Sequence, residues 1–114
     1  MPVMMLMRWD GVTTDDYDTL REMVRWEENP PKGVLYHVAA QDGTAMRVTD
    51  IWDSAAHFTL FVETRLMPAV TELGITTEPE IELLVTHAIF APGYSVDLAA
   101  HKTAAAHITR SQPG

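Results

Sequence analysis

Residues 34–54, VLYHVAAQDGTAMRVTDIWDS, decide the fold, because two alternating apolar runs flank an Asp-Gly pair. This pattern predicts a β-hairpin, with strands over residues 33–41 and 45–52 and a two-residue Asp-Gly turn between them. Each strand carries one ionisable residue among apolar neighbours, His37 in the first and Asp50 in the second. The hairpin therefore raises the question of why a sheet holds an imidazole and a carboxylate there.

The register of the hairpin decides whether these two side chains share a face, because side chains alternate along a strand. The two-residue turn predicts that His37 lies opposite Val48. It also predicts that Leu35 lies opposite Asp50, so that His37 and Asp50 are diagonal neighbours on one face. A three-residue loop with a bulge would instead place His37 opposite Thr49 and separate the pair.

The two faces of the predicted hairpin differ in polarity. The face with the ionisable pair is mixed and contains Leu35, His37, Ala39, Met46, Val48, Asp50 and Trp52. The other face has an apolar centre and is the better surface for packing helices. A buried carboxylate needs a hydrogen-bonded partner or nearby water. We therefore expect the face with His37 and Asp50 to lie away from the helices, next to a cavity that a second subunit closes.

The chain before the hairpin predicts a strand and a helix. Residues 3–9 form a short apolar run that ends at an Asp-Gly pair, as a buried strand does. Thr13 or Thr14 is a suitable N-cap for the following helix, because acidic residues come directly after it. The helix has an apolar stripe that begins at Tyr17, and it is expected to stop before Pro30 and Pro31.

The chain after the hairpin predicts a helix and a last strand. Asp53 or Ser54 can cap a helix whose apolar residues recur every three or four positions. Pro68 is expected to break this helix, leaving a short second piece that ends at Gly74. Residues 81–90 form a nearly continuous apolar run, which is typical of a strand covered on both faces.

The order strand, helix, strand, strand, helix, strand predicts an α+β fold of the ferredoxin-like βαββαβ type, with a four-stranded antiparallel sheet. This domain spans residues 1–90. Residues 91–114 form a C-terminal tail, either as a short helix that packs on a partner subunit or as a frayed end. Two helices leave one face of a four-stranded sheet uncovered, so a homodimer is expected.

Composition narrows the classes of partner and cofactor. The 114 residues include 16 Asp and Glu against 8 Lys and Arg, a net charge of -8, and no Cys. Nucleic acid and anionic membranes are therefore not expected as partners, and disulfides and thiolate chemistry are excluded. The N-terminus has no basic region before its apolar run, so a cytoplasmic protein is expected. The chain lacks glycine-rich nucleotide motifs and paired metal-binding histidines, which predicts neither cofactor nor metal.

A tryptophan that ends the third strand, followed at once by a cap and an amphipathic helix, occurs in residues 50–63, DIWDSAAHFTLFVE. Together with the element order, this motif resembles the dimeric α/β-barrel superfamily, which includes antibiotic-biosynthesis monooxygenases, stress-responsive barrel proteins and EthD-like proteins. The resemblance implies a homodimer with a pocket in each protomer. Haem-degrading members carry a ligating histidine further along this helix, where the present chain has Val62, and His57 comes too early. Haem oxygenase activity is therefore not expected.

An imidazole beside a carboxylate is the usual arrangement for a general base and the group that orients it. His37 is the candidate base and Asp50 its orienter, with Trp52 as a flat wall for the substrate. The other interpretation, that His37 and Asp50 satisfy each other without any reaction, stays open. The resemblance adds Arg8 and Trp9, at the end of the first strand, as pocket residues.

The remaining candidate substrate-binding residues are Leu35 and Val48, on the mixed face, and His87, near the end of the last strand. His87 is either a second polar group of the cavity or an ordinary histidine at a sheet margin. Arg8 either attracts an anionic substrate group or forms a surface ion pair. Both alternatives stay open.

The resemblance implies a cofactor-independent enzyme of the monooxygenase, cyclase or isomerase type that acts on a small apolar or aromatic metabolite. Each of these reactions begins with proton removal in a dry pocket. The alternative is a non-catalytic dimer that binds a small molecule or serves in a stress response.

Overall fold

The computed structural model describes residues 1–93 of the 114-residue chain. The elements are β1 (Val3–Asp10), α1 (Thr14–Met23), β2 (Val34–Asp42), β3 (Ala45–Trp52), α2 (Ala55–Phe61), a π-helical turn (Val62–Leu66), α3 (Met67–Leu73) and β4 (Glu80–Val85). They build one antiparallel sheet of order β2-β3-β1-β4. The predicted ferredoxin-like α+β fold is confirmed. The predicted tail lies outside the described residues from position 94 onward.

Helix α1 begins with a reciprocal cap. The Asp16 amide donates to the Thr13 hydroxyl at 3.0 Å, and the Thr13 amide donates to the Asp16 carboxylate at 3.2 Å. These two bonds satisfy donors that a helix start otherwise leaves unpaired. Thr13 is therefore the N-cap.

The end of α1 reverses the chain through a residue in the left-handed region, Arg25, with φ of 56°. The Arg25 amide donates to the Glu22 carbonyl at 3.1 Å and the Trp26 amide to the Arg21 carbonyl at 3.2 Å, which is the Schellman arrangement. A side chain at this φ costs about 1 kcal/mol or more. The reversal brings Trp26 back toward the sheet, well before Pro30.

The second helical region consists of two α-helical pieces joined by a π-helical turn. Ser54 is the N-cap, and its hydroxyl accepts from the His57 amide at 3.2 Å. The predicted division is confirmed in position, because the π-helical turn ends at Leu66 and α3 begins at Met67, with Pro68 in its first turn. Leu66 and Met67 keep right-handed helical backbone angles, so the division is a change of helical type rather than an interruption. Gly74, with φ of 85°, ends α3 as predicted.

The helices cover the sheet face that carries Asp50. The core between sheet and helices contains Met5, Met7, Trp9, Val12, Leu20, Val24, Met46, Val48, Trp52, Phe58, Phe61, Ala69 and Val70. Asp50 lies in this layer and is 4% exposed. The expectation that this face lies away from the helices is therefore wrong. Its carboxylate is buried within one subunit, because hydrogen-bond donors in the same layer satisfy it.

The hairpin register also differs from the prediction. Asp42 pairs with Ala45, so the two-residue loop lies one position further along the chain than expected. His37 consequently pairs directly with Asp50, and the predicted partners Val48 for His37 and Leu35 for Asp50 are wrong. The shared face of the ionisable pair is confirmed, because the loop still contains two residues.

The other face of the sheet carries no helix in the described part of the chain. It presents Met4, Leu6, Tyr36, Val38 and Leu84. Val38 is 45% exposed and Leu84 is 44% exposed. Strand β4 is shorter than predicted and exposed along its whole length, so its expected burial on both faces is wrong for the single chain. No helix within residues 1–93 is both long and apolar enough to cross a membrane.

Candidate active site

A cavity of about 80 Å³ lies between the sheet and the helices. Most of its lining is apolar and comprises Met5, Met7, Trp9, Val12, Leu20, Val24, Trp26, Met46, Val48, Phe58, Phe61 and Leu66. Four lining residues are polar or ionisable, namely Tyr17, Arg21, His37 and Asp50. These four lie close together, so the cavity combines apolar walls with one polar cluster, the arrangement that small-molecule sites commonly have.

Asp50 is held by two donors in the core. Its Oδ1 lies 2.6 Å from His37 Nδ1, and its Oδ2 accepts from Trp52 Nε1 at 3.0 Å. Both carboxylate oxygens are thus paired, which offsets much of the cost of burying the charge. With Asp50 ionised, His37 Nδ1 is the donor, and the lone pair of a neutral imidazole is then on Nε2.

Tyr17, on α1, closes the other side of the imidazole. Its hydroxyl lies 2.5 Å from His37 Nε2. Burial raises the pKa of the Tyr17 phenol, and the neighbouring Arg21 partly opposes this rise. Tyr17 is therefore a neutral hydroxyl near neutral pH, and it donates to the free imidazole nitrogen. The result is a line of hydrogen bonds from Tyr17 through His37 and Asp50 to Trp52.

Arg21, one helical turn beyond Tyr17, lies at the rim of the cavity, where its side chain is 31% exposed. Its Nη1 donates to the Tyr17 oxygen at 3.4 Å, and its Nη2 pairs with Glu27 at 2.5 Å. The Nε atom is buried and has no hydrogen-bond partner within residues 1–93. Arg21 therefore brings a positive charge and one unused donor to the polar cluster.

Trp26 covers the imidazole from the rim. Its ring centroid lies 4.5 Å from that of His37 and 5.5 Å from that of Phe61. The left-handed turn at Arg25 positions it there. Phe61 begins the helical stretch that leads through the π-helical turn to Leu66, and both residues line the cavity. One extra residue per turn allows side chains five positions apart to face the same way, and such turns are frequent at functional sites.

The structure brings together five of the eight candidate site residues. His37, Asp50, Val48 and Trp9 line the cavity. The ring of Trp9 is held by its Nε1, which donates to the Thr77 carbonyl at 3.0 Å. The predicted role of Trp52 as an open wall does not match its position, because its ring is fully buried and its indole donor binds Asp50.

The other three candidates lie elsewhere. Arg8 is on the open face, where it pairs with Asp10 and Asp42, both at 3.3 Å. Leu35 is the extra residue of a bulge in β2 and is 58% exposed. His87 is exposed and lies beyond the end of β4.

Three site residues were absent from the predictions, namely Tyr17, Arg21 and Trp26. A signal existed for Tyr17, because it heads the helical stripe that contains Leu20 and Val24. It is the one residue of that stripe with a polar head, and a buried phenol usually has a hydrogen-bond partner. Within residues 1–93, no group of three His, Asp or Glu side chains is arranged to hold a metal ion.

Comparison with known proteins identifies the fold. The cofactor-independent oxygenase SnoaB from Streptomyces nogalater is 12% identical, with a TM-score of 0.59, and the match covers 77% of this chain and 95% of SnoaB. Rv0793 from Mycobacterium tuberculosis is 10% identical, with a TM-score of 0.61, over 80% and 100% of the two chains. A Chloroflexus aurantiacus structure, provisionally described as an antibiotic biosynthesis monooxygenase, is 18% identical, with a TM-score of 0.58, over 82% and 100%.

Comparison at the level of sequence finds no relative of this chain among protein families or curated proteins. No protein-family profile matches the sequence, and no curated protein matches it significantly. Identities of this size show a shared fold, and function has to be argued from the site itself. The chain has the ferredoxin-like fold of antibiotic biosynthesis monooxygenase-like structures, as the resemblance in residues 50–63 implied.

Proposed function

We propose that this protein is a cofactor-independent enzyme that removes a proton from a small apolar or aromatic metabolite, with His37 as general base and Asp50 as its orienter. The observation that carries the proposal is the buried His37–Asp50 pair at the edge of an apolar cavity. A carboxylate on Nδ1 fixes the tautomer of the imidazole and stabilises its charged form. Trp52 stabilises the ionised state of Asp50 by binding its second oxygen.

The apolar lining supports proton removal in a second way. Hydrogen bonds and charges act more strongly where water is excluded, so a base surrounded by Met, Val and aromatic side chains gains from its setting. Monooxygenase, cyclase and isomerase reactions of the cofactor-free kind share this first step. The description of SnoaB as a cofactor-independent oxygenase favours the monooxygenase type among them.

The size of the cavity limits how substrates enter. A volume of about 80 Å³ is smaller than the roughly 150 Å³ of an apolar cavity that admits benzene. A ring-sized substrate therefore requires movement of side chains at the rim. Trp26 and Arg21 are only half-buried there and are the groups expected to move.

Naphthoresorcinol is a suitable probe, because it is a small aromatic compound. Once a hydroxyl proton has been removed, its ring C–H protons exchange with deuterium from the solvent. We expect the protein to accelerate this exchange in heavy water, followed by NMR. His37→Gln should lower the accelerated rate by about 10²–10⁴-fold. His57→Gln, which alters another Asp-paired histidine outside the cavity, should leave the rate unchanged. Equal rates for the wild type and His37→Gln would refute the assignment of His37.

One observation favours a non-catalytic alternative. The bonds among Tyr17, His37, Asp50 and Trp52 already satisfy one another, as in a purely structural network. The alternative function is a small-molecule-binding or stress-response protein with the same cavity. It predicts that naphthoresorcinol binds without any faster exchange.

The proposed enzyme is a homodimer in which a second copy covers the open face of the sheet. The exposed apolar side chains of that face support this arrangement, because such a surface is unusual on a monomer. Sedimentation should give a dimer for the wild type and a monomer for Val38→Glu, which places a charge among the exposed apolar side chains of that face. A wild-type monomer would contradict the arrangement. A cytoplasmic location remains a prediction from the N-terminal sequence, and the absence of nucleic-acid and membrane partners remains a prediction from the acidic composition.

A further inference from the structure

Two features of the polar cluster are not used by a base and its orienter alone. The first is the Tyr17 hydroxyl, which lies 2.5 Å from His37 Nε2 and so occupies the one imidazole nitrogen that Asp50 leaves free to act as a base. The second is Arg21, whose Nε is buried at the cavity without a hydrogen-bond partner among residues 1–93. A substrate that engages both groups has to offer a hydrogen-bonding atom, and an oxygen that becomes anionic pairs best with the positive charge of Arg21.

We propose, resting on the proposed function, that the substrate carries a ring hydroxyl whose proton passes through Tyr17 to His37, while Arg21 binds the resulting oxyanion. Tyr17 is then a proton relay that contacts the substrate. The substrate class is a phenol or a stable enol of a small aromatic compound. Arg21 selects this class over hydrocarbons of the same shape.

The transfer balances as two coupled proton movements. The substrate O–H bond breaks as an O–H bond forms at the Tyr17 oxygen, and the original Tyr17 O–H bond breaks as an N–H bond forms at His37 Nε2. The substrate oxygen keeps the electron pair and becomes anionic. Tyr17 ends as a neutral hydroxyl that donates to the oxyanion, and His37 ends as an imidazolium.

Each charge created in this transfer has a partner already in place. The imidazolium lies against Asp50, with Nδ1 and Oδ1 2.6 Å apart. The oxyanion lies beside the guanidinium of Arg21, which is within 3.4 Å of the Tyr17 oxygen. Preorganised groups of this kind stabilise charge without having to reorient during the reaction.

The protonation state of Tyr17 suits a proton relay better than a general base. Burial raises the pKa of its phenol, so it holds its proton near neutral pH and can accept a second one only by passing the first to His37. The charged or titratable groups around the bound oxygen are Tyr17 and Arg21 on α1, Glu27 beyond it, and His37 and Asp50 on the sheet. The residues that α2 and the π-helical turn contribute to the cavity, Phe58, Phe61 and Leu66, are apolar.

The inference can be tested by binding alone, with para-nitrophenol as a probe, because its anion has a visible absorption band. Wild-type protein should bind it as the anion and lower its apparent pKa by about one unit, a tenfold change in the ratio of anion to neutral form. Tyr17→Phe and Arg21→Gln should each remove at least half of this shift. Tyr36→Phe and Arg47→Gln, which alter the same residue types on the open face, should keep it in full. Circular dichroism checks that each variant is folded.

Para-nitroanisole, which has no ionisable hydroxyl, provides a control that needs no variant. The wild type should bind it at least tenfold more weakly than para-nitrophenol. The inference is overturned if para-nitrophenol does not bind, if it binds only in its neutral form, or if the anisole binds equally well. It is also overturned if folded Tyr17→Phe and Arg21→Gln both retain the full pKa shift.

This outcome is separable from that of the proposed function. Bound nitrophenolate without His37-dependent exchange of naphthoresorcinol would support the oxyanion site and refute the enzyme. His37-dependent exchange with neutral nitrophenol in the site would support the enzyme and refute the relay through Tyr17.

Discussion

Residues 1–93 contain two His–Asp pairs with the same local geometry and different surroundings. His37 Nδ1 lies 2.6 Å from Asp50, and His57 Nδ1 lies 2.6 Å from Asp53. The first pair bridges two strands inside the core, and its second ring nitrogen meets Tyr17 at the cavity. The second pair lies one turn apart at the start of α2, where both side chains are substantially exposed to water.

The difference shows that a short His–Asp contact is not in itself a catalytic feature. His57 and Asp53 pack against Gly33, which has φ of 93° and whose carbonyl accepts from the Asp53 amide at 2.8 Å. Their contact attaches the segment before β2 to the start of α2. His37 and Asp50 instead have an apolar cavity beside them and a proton donor on the far nitrogen. Surroundings, rather than distance, are therefore the reason why we propose the chemistry for the first pair.

The largest difference between the pairs is expected in activity. Asp50→Asn should lower the rate of proton exchange of naphthoresorcinol by about 10²–10⁴-fold, because the amide no longer fixes the tautomer of His37 or stabilises its charge. Asp53→Asn is the matched control and should exchange at the wild-type rate. NMR in heavy water measures both. Equal losses in the two variants would mean that the pairs do not differ in chemistry.

The second difference is expected in folding stability. Asp50→Ala leaves the Trp52 indole N–H and the His37 Nδ1–H buried without their acceptor, so the free energy of unfolding should fall by about 2–5 kcal/mol. Asp53→Ala should cost clearly less, because water can replace its contact. Urea unfolding followed by tryptophan fluorescence measures both. A greater loss in Asp53→Ala than in Asp50→Ala would reverse this comparison.

A third substitution, at Gly33, is expected to disturb the exposed His57–Asp53 pair through the backbone that the pair packs against. A methyl group on Gly33 would collide with the Asp53 carboxylate and the His57 ring, and the backbone there is in a region that side chains disfavour. Gly33→Ala should therefore destabilise the fold by about 1–3 kcal/mol. Gly43→Ala is the control, because a methyl group there meets only open space, and its φ of 61°, inside the left-handed region, carries a smaller backbone cost. Thermal unfolding should show a larger loss for Gly33→Ala, and equal losses would mean that neither the collision nor the extra backbone strain at Gly33 persists in the variant.

The smallest effect is expected in acid. The hydrogen bond from His57 lowers the pKa of the Asp53 carboxyl below its ordinary value. A lowered folded-state pKa contributes stability above the ordinary pKa of Asp, about 4, and this contribution disappears as the pH falls through the lowered value. The melting temperature of the wild type should therefore exceed that of Asp53→Asn near neutral pH, and the gap should narrow below about pH 4. A gap that widens in acid would contradict the shift.

The sequence predicts the architecture and the helix starts well because these depend on nearby residues. Local chemistry accounts for the element order, for the N-cap of α1 at Thr13 and for the end of α3 at Gly74. The shared face of His37 and Asp50 also follows, because a two-residue loop preserves the alternation even when it slides by one position. The cross-strand partner of each residue could not be predicted in the same way, because a one-position shift of the loop turns diagonal neighbours into a directly opposed pair.

The position of the site was harder to predict because it depends on long-range partners. A carboxylate on a helix-covered face looks unfavourable until its donors are known. One donor to Asp50 is Trp52, two residues away on the same strand. The other is His37, whose second ring nitrogen is hydrogen-bonded by Tyr17, 20 positions earlier in the sequence than His37. Arg21 joins the site from α1, next to Tyr17. Trp26 joins it through the left-handed turn at Arg25, for which the sequence has no glycine signal.

The contacts of Arg65, at the end of the π-helical turn, have a consequence for substrate entry. Its guanidinium donates to the Val24 carbonyl, and to the Asn29 carbonyl at 2.7 Å. These carbonyls flank Trp26, so one side chain secures the backbone on either side of the indole. We therefore expect a substrate to enter when the Trp26 ring rotates while the backbone around it stays in place. This is a side-chain motion, which is faster than the opening of a loop. Such an entrance would discriminate by the width of the arriving molecule more than by its length.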